Sequence, residues 1–401
     1  MSVGCSSWPR RWGATPCCIE TKPVVHKPPI WWHLFDVTVV SQAKRGLNLV
    51  RVWRKAVGAP VRALNLHDGD VRDSAFFTDR DPAQLSPAEV AAGPTRPEDL
   101  ATPPFTITKL KGEGKTPGFF VTDAKGARYL FKLDPVEAPE LLSGAETVTS
   151  KLLYALGYHV PSDEVVQVRP EQLEGNGVAD VPRLLEGRVR EGVCRLVASK
   201  ILDGEILGPA SFKRFRDCAE IRALRLAYAW VNNIDTKDHN SLLVWNGRET
   251  LGYLIDFGTS LGADAGRAGP KNPCAGRLNI VDLREASLKF LTLGIYQPPC
   301  RLEDGQPVST RIGFFNDRFD PDDWKPYAPN LAFQEMNEQD ARWIARRMAR
   351  LSRAQLEAAV GAGRYSAPGD AVYLVDTLEH RRAAILDEYL EDDDPAKGAR
   401  P

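Results

Sequence analysis

Two stretches of the chain hold side chains that could act together on a phosphate ester: Asn232-Asn-Ile-Asp-Thr-Lys-Asp-His-Asn240 and Leu254-Ile-Asp-Phe-Gly258. Moving a phosphoryl group to a hydroxyl needs a carboxylate facing the acceptor and oxygen ligands that clamp magnesium on the phosphates, with little further covalent help from the protein. Asp235 can supply the carboxylate, and Asn240 and Asp256 can supply the metal ligands. These positions lie apart in sequence, and a hairpin would close the gap. Ser241 to Trp245 and Leu251 to Ile255 read as strands, and Asn246-Gly247 between them is the favoured pair for a tight turn. Taken singly, Asp235 could merely cap a turn, and Asp-Phe-Gly could be an ordinary loop after a strand. The order of helix, loop, hairpin and second loop is what argues for one site.

Upstream, Tyr129-Leu-Phe-Lys-Leu-Asp134 sets Lys132 in an apolar strand, where a lone ammonium would be costly. Lys132 therefore wants an anion, and Glu146 falls inside the next helix, where it could pair with it. The bland readings are a lysine reaching water from an edge strand and a solvated glutamate in a first helical turn. Lys111-Gly-Glu-Gly-Lys-Thr-Pro-Gly118 lies between two strands. Backbone N–H groups around Gly112, Gly114 and Gly118 could cradle phosphate there, helped by Lys115 and the Thr116 hydroxyl. This is not a Walker loop, because Lys109 stands where the first glycine is required and Pro117-Gly118 leads into a strand. His239 reads as an ordinary loop histidine and Trp31-Trp32 as buried anchors. Trp324 and Tyr327 read as helical-half packing, and Glu391-Asp-Asp-Asp394 as a solvated end.

Asp-x-x-x-x-Asn followed by Asp-Phe-Gly resembles the catalytic and metal-binding loops of protein kinases. The run Leu254-Ile-Asp-Phe-Gly-Thr-Ser-Leu-Gly262 is similar to the phosphatidylinositol 3- and 4-kinase relatives and, more loosely, to HipA-type bacterial kinases. The resemblance implies a two-lobed protein-kinase-like fold with ATP and Mg2+ as cofactors. It implies Asp235 as base, Lys237 as a γ-phosphate contact and Asn240 and Asp256 as metal ligands. Lys132, Glu146 and the 112–118 turn would hold the nucleotide, and the γ-phosphate would pass to a hydroxyl of a protein, lipid headgroup or small molecule. Asn233-Ile234 stands where protein kinases carry His-Arg, and no Ala-Pro-Glu segment follows. A nucleotide-binding module without turnover, or an AMP transferase, could use the same cleft.

The elements that must position these residues follow from pattern. Phe105 to Leu110, Phe119 to Thr122, Arg128 to Leu133, Glu164 to Val168 and Arg195 to Ile201 read as strands, with a helix from Gly144 to Leu156 ending at Gly157. Leu202 to Pro209 reads as a link. Helices then run from Phe212 to about Val231, from Asn337 through Leu351, from Ser352 to about Val360 and from Asp370 to Leu390. This order gives an α+β fold: an antiparallel-sheet N-lobe with one helix over 105–205, a helical C-lobe over 206–401, and an extension with weak structure signals over 1–104.

Composition sets the outer limits. The 401 residues are 43% hydrophobic and 26% charged, which is ordinary globular chemistry. Fifty-two Lys and Arg against 53 Asp and Glu leave a net charge of -1, so no overall basic field exists to gather nucleic acid or an anionic membrane. The expected partners are a nucleotide and an acceptor substrate. Seven scattered cysteines without a C-x-x-C pair read as reduced thiols. Ile30 to Val40 is too short to span a bilayer and is broken by His33 and Asp36, which fits a cytoplasmic chain without transmembrane segments.

Overall fold

Regular structure begins well before residue 105. A computed structural model describes residues 17–112, 114–175, 181–279, 283–293, 295–296, 300 and 306–390. Helix α1 (Ile30–Phe35), a single π turn (Asp36–Val40), α2 (Ser41–Leu47) and α3 (Leu49–Ala56) form a nearly continuous helical run. Ser86 and Glu89 form a capping box that starts α4 (Pro87–Ala92). Between these helices, Phe76 and Phe77 are buried among Phe212, Phe215, Tyr158 and Trp343. Regular elements therefore occupy a stretch whose sequence signals are weak. Its Pro, Asp and Arg clusters are the caps and turns of a segment whose Phe76 and Phe77 enter the main core.

The principal sheet is built from β1 (Phe105–Leu110), β2 (Gly118–Thr122), β3 (Arg128–Leu133), β4 (Asp163–Val168), β5 (Leu173–Glu174), β6 (Val189–Arg190) and β7 (Val193–Lys200). Its order is β4-β7-β3-β2-β1-β5, with β6 paired to β7, and every pairing is antiparallel except β1 with β5. Period-two alternation sends Phe119, Val121, Phe131, Leu133, Leu196 and Ala198 into one apolar cluster. Lys132, between Phe131 and Leu133, must therefore face the opposite side. There it aligns with Gly118 and Val197 on the neighbouring strands.

Helix α5 (Leu141–Leu156) packs on that side. Its start is fixed by Asp134, just past β3, whose carboxylate accepts from the N–H groups of Leu142 and Ser143 at 2.9 and 2.8 Å. An anion at a helix N-terminus is favoured by the free N–H groups and the dipole. Its end is Gly157, whose φ of +109° suits glycine.

The second half is mostly helical. A 3-10 turn (Phe212–Phe215) precedes α6 (Ala219–Trp230), so the single helix expected from Phe212 is interrupted near Asp217 and Cys218. Helices α7 (Glu338–Ala349), capped by Asn337, α8 (Arg353–Ala362), capped by Ser352, and α9 (Pro368–Leu390) pack with α5 and α6 around the larger core. Trp324 is buried there and donates to Asn232 Oδ1 at 3.0 Å.

A smaller sheet joins the halves. It comprises β8 (Glu205–Gly208), β9 (Ser241–Trp245) and β10 (Thr250–Leu254), so the expected link at 202–209 contains a strand. The β9–β10 connection is longer than the asparagine-glycine turn expected: Trp245 pairs with Thr250, and Asn246 Oδ1 accepts from the N–H groups of Arg248 and Glu249.

The reduced-thiol reading is also corrected. Disulfides join Cys17 to Cys218 and Cys274 to Cys300, while Cys194 is free and buried. Scatter in sequence misled because both pairs form only after folding, one across 201 positions. No helix among the described residues is long and apolar enough to cross a membrane. The acidic 391–394 tail and Glu113 lie outside the described residues.

Candidate active site

Folding brings the two motifs together through backbone bonds. The Ile255 N–H donates to Asn240 O at 3.0 Å, and Ser241 aligns with Leu254, so the hairpin returns Asp256 beside Asn240. The following segment is stitched to the first loop by Leu261 N–H to Val231 O at 2.6 Å and Ile234 N–H to Thr259 O at 3.4 Å. Asp256 has φ +64°, a left-handed conformation that is uncommon for a residue with a side chain and that gathers at functional positions.

Lys132 is the hinge of the charge arrangement. Its Nζ donates to Glu146 Oε1 at 2.7 Å and to Asp256 Oδ1 at 3.1 Å. Thus one ammonium joins a strand, a helix and the loop after the hairpin. Burial works against its charge, but Asp256 and Glu146 raise its pKa above the ordinary lysine range. Conversely, the Lys132 charge outweighs burial and holds Asp256 down to about 2. The Asp256 side chain remains 35% exposed, so this acid still opens to solvent. A Cβ on Gly258 would lie 3.4 Å from Glu146 Oε2, which places the Asp-Phe-Gly segment directly against α5.

The loop carrying Asp235 is held on several sides. Lys237 Nζ donates to Asp235 Oδ2 at 2.5 Å, and Asn240 Nδ2 donates to Asp235 O at 2.9 Å. Asp238 accepts from Phe212 N–H at 3.0 Å, Asn330 Nδ2 donates to Thr236 O at 3.3 Å, and Tyr327 N–H donates to Ile234 O at 2.8 Å. His239 does bind a neighbour, with Nε2 at 2.9 Å from Pro28 O.

The glycine-rich turn contributes unevenly. Gly118 opens β2 opposite Lys132, and a Cβ there would meet Phe131 O at 2.4 Å; its glycine allows the strands to close around Lys132. Gly112, Gly114 and Lys115 are exposed, and Thr116 is buried. Lys115 shows no bond to the Lys132–Asp256 pair among the described residues. Its neighbour Lys111 has that place instead: it donates to Thr116 O at 3.1 Å and helps hold the Asp256 carboxyl down.

Two participants escaped sequence reasoning. Lys111 looked like the edge of a turn, and simple alternation from Phe105 and Ile107 would have set it on the apolar face; the irregular register between Ile107 and Lys109 reverses that. Asp163, the first residue of β4, is fully buried near Glu146 and Lys132, and neither carboxylate oxygen has a hydrogen bond of normal geometry. Burial and the neighbouring Glu146 push its carboxyl up to about 7. In sequence it reads as a turn residue after Pro161-Ser162.

No protein-family model matches the chain, and no curated protein sequence matches it. Among solved structures it is similar to the Helicobacter pylori proinflammatory kinase CtkA, at 14% identity and a TM-score of 0.38, covering 70% of this chain and 93% of that one. It is also similar to the Golgi casein kinase, at 10% identity and a TM-score of 0.30, covering 90% and 91%. Both neighbours are kinases, but likeness at this level carries no inference about this chain.

Proposed function

We propose that the chain is a magnesium-dependent phosphotransferase that moves the γ-phosphate of ATP to an acceptor hydroxyl, in a cleft between the sheet and helical halves. The observation that carries the reading is the three-way junction of Lys132 with Glu146 and Asp256, beside the loop of Asp235, Lys237 and Asn240.

The donor set fits a hard divalent cation: a carboxylate held ionised and a neighbouring amide, both oxygen ligands. Asn240 and Asp256 would hold magnesium, which when bound supplies charge neutralisation on the phosphates. Lys132, kept cationic and anchored by Glu146, suits an anionic phosphate, and Lys111 adds a second positive charge. Asp235 would accept the acceptor's hydroxyl proton, with Lys237 close enough to stabilise the transferred group.

Substitution Asp256→Ala tests this directly. Magnesium-dependent ATP turnover should fall at least about a thousandfold, the scale of removing a principal electrostatic stabiliser, with the thermal unfolding profile retained. Turnover equal to the parent chain would remove the assignment. Tight nucleotide binding with no turnover in the parent chain would favour a binding module instead.

A further inference from the structure

The helical run at 30–57 is inside out. Its polar residues face the protein: His33 is buried 3.7 Å from Asp238, and Asp36 accepts from Lys213 at 2.6 Å. Gln42 exchanges hydrogen bonds with Gln334, and Arg51 reaches Asp217 and Glu335 at 2.9 Å. Its apolar residues face outward. Trp31 is 66% exposed, Trp32 45% and Trp53 65%, and Phe35, Leu47, Leu49 and Val50 are exposed with them. The expected buried anchor at Trp31-Trp32 is thus corrected, because the hydrogen-bonding residues of these helices do the anchoring. A surface helix ordinarily turns its apolar stripe to the core, and a large outward patch marks an interaction site.

Charge indicates what meets this patch. From Val37 to Val57 there is no Asp or Glu, whereas Lys44, Arg45, Arg51, Arg54 and Lys55 are all basic. Arg51 is neutralised by Asp217 and Glu335, and Arg45 lies 3.8 Å from Glu335, so the cations left toward solvent are Lys44 and Lys55, both exposed, and the half-exposed Arg54. Tryptophan and aliphatic residues set among lysine and arginine suit the boundary of an anionic bilayer.

We propose that α1 to α3 form a docking face for an anionic lipid surface, with the tryptophans at headgroup depth and Lys44, Arg54 and Lys55 against lipid phosphates. The face is joined to the candidate catalytic loop through His33–Asp238 and through His239 with Pro28 O. Docking would hold that loop beside the lipid plane. The proposal does not depend on phosphotransfer, and its test reads binding alone.

The full chain is sedimented with phosphatidylcholine vesicles, with and without phosphatidylglycerol. At least about tenfold tighter binding to the anionic vesicles is expected, weakening as salt rises. Trp31→Ser with Trp53→Ser, both exposed, should lose at least about tenfold in binding without a change in circular dichroism. Lys44→Glu with Lys55→Glu should remove the anionic preference, which provides an independent check if the tryptophan variant misfolds. Equal binding to both vesicle types, or undiminished binding by a folded variant pair, overturns the proposal. So does light scattering that shows a dimer abolished by the tryptophan changes, since a second copy would then cover the face.

Discussion

The carboxyl of Asp163 offers a quantitative check on the charge cluster behind Lys132. The group is fully buried, faces Glu146 and Lys132, and is pushed up to about 7 from an ordinary 3.8 by burial and then by Glu146. In the unfolded chain it ionises near pH 4; in the folded chain it keeps its proton to about pH 7. The folded state therefore binds the extra proton, and this stability is complete below about pH 4 and lost as pH rises through about 7. The gap corresponds to on the order of 4 kcal/mol, at about 1.4 kcal/mol per pH unit. The substitution Asp163→Asn puts an amide there that stays neutral at every pH. Urea unfolding of both proteins, taken across about pH 4 to pH 8, yields a difference curve in which titrating groups remote from Asp163 cancel. The variant should gain on the parent chain by up to that amount toward the alkaline end, with most of the change complete by about pH 7. A flat difference would refute the reasoning, because a solvated Asp163 or one bonded to a cation would contribute no such slope.

Two further substitutions probe how the site is positioned. Gly118→Ala drives a Cβ to within 2.4 Å of Phe131 O, which is backbone and cannot rotate away; a loss of about 2–3 kcal/mol in chemical unfolding is expected, with weakened nucleotide binding as β2 and β3 part around Lys132. Native stability would show that the sheet relaxes there. Cys17→Ser with Cys218→Ser removes a link across 201 positions and should cost about 2–5 kcal/mol in unfolding under oxidising conditions. Alkylation of Cys17 and Cys218 in the unreduced parent chain would contradict the pairing.

Local chemistry was readable where each residue answers to its near neighbours. Strand alternation gives the limits of β1 and β3, Asn337 and Ser352 mark the starts of α7 and α8, and apolar flanks around Lys132 imply that its charge needs a partner. The return of Asp256 to a place beside Asn240 was legible for the same reason, since a hairpin between two loops leaves little choice about where its ends lie. What resisted was anything decided by a distant surface. Whether Asp163 is solvated depends on α5 closing over β4. Whether Cys17 pairs depends on the start of α6. The outward face of α1 to α3 depends on Asp217, Gln334 and Glu335, which compete for the polar stripe of those helices and leave the tryptophans outside. Helical periodicity reports that a helix has two faces; which of them turns inward is set by the groups waiting on the rest of the chain. The site's least expected property, its direct link through Asp238 and His239 to an exposed aromatic and basic face, follows from that reversal.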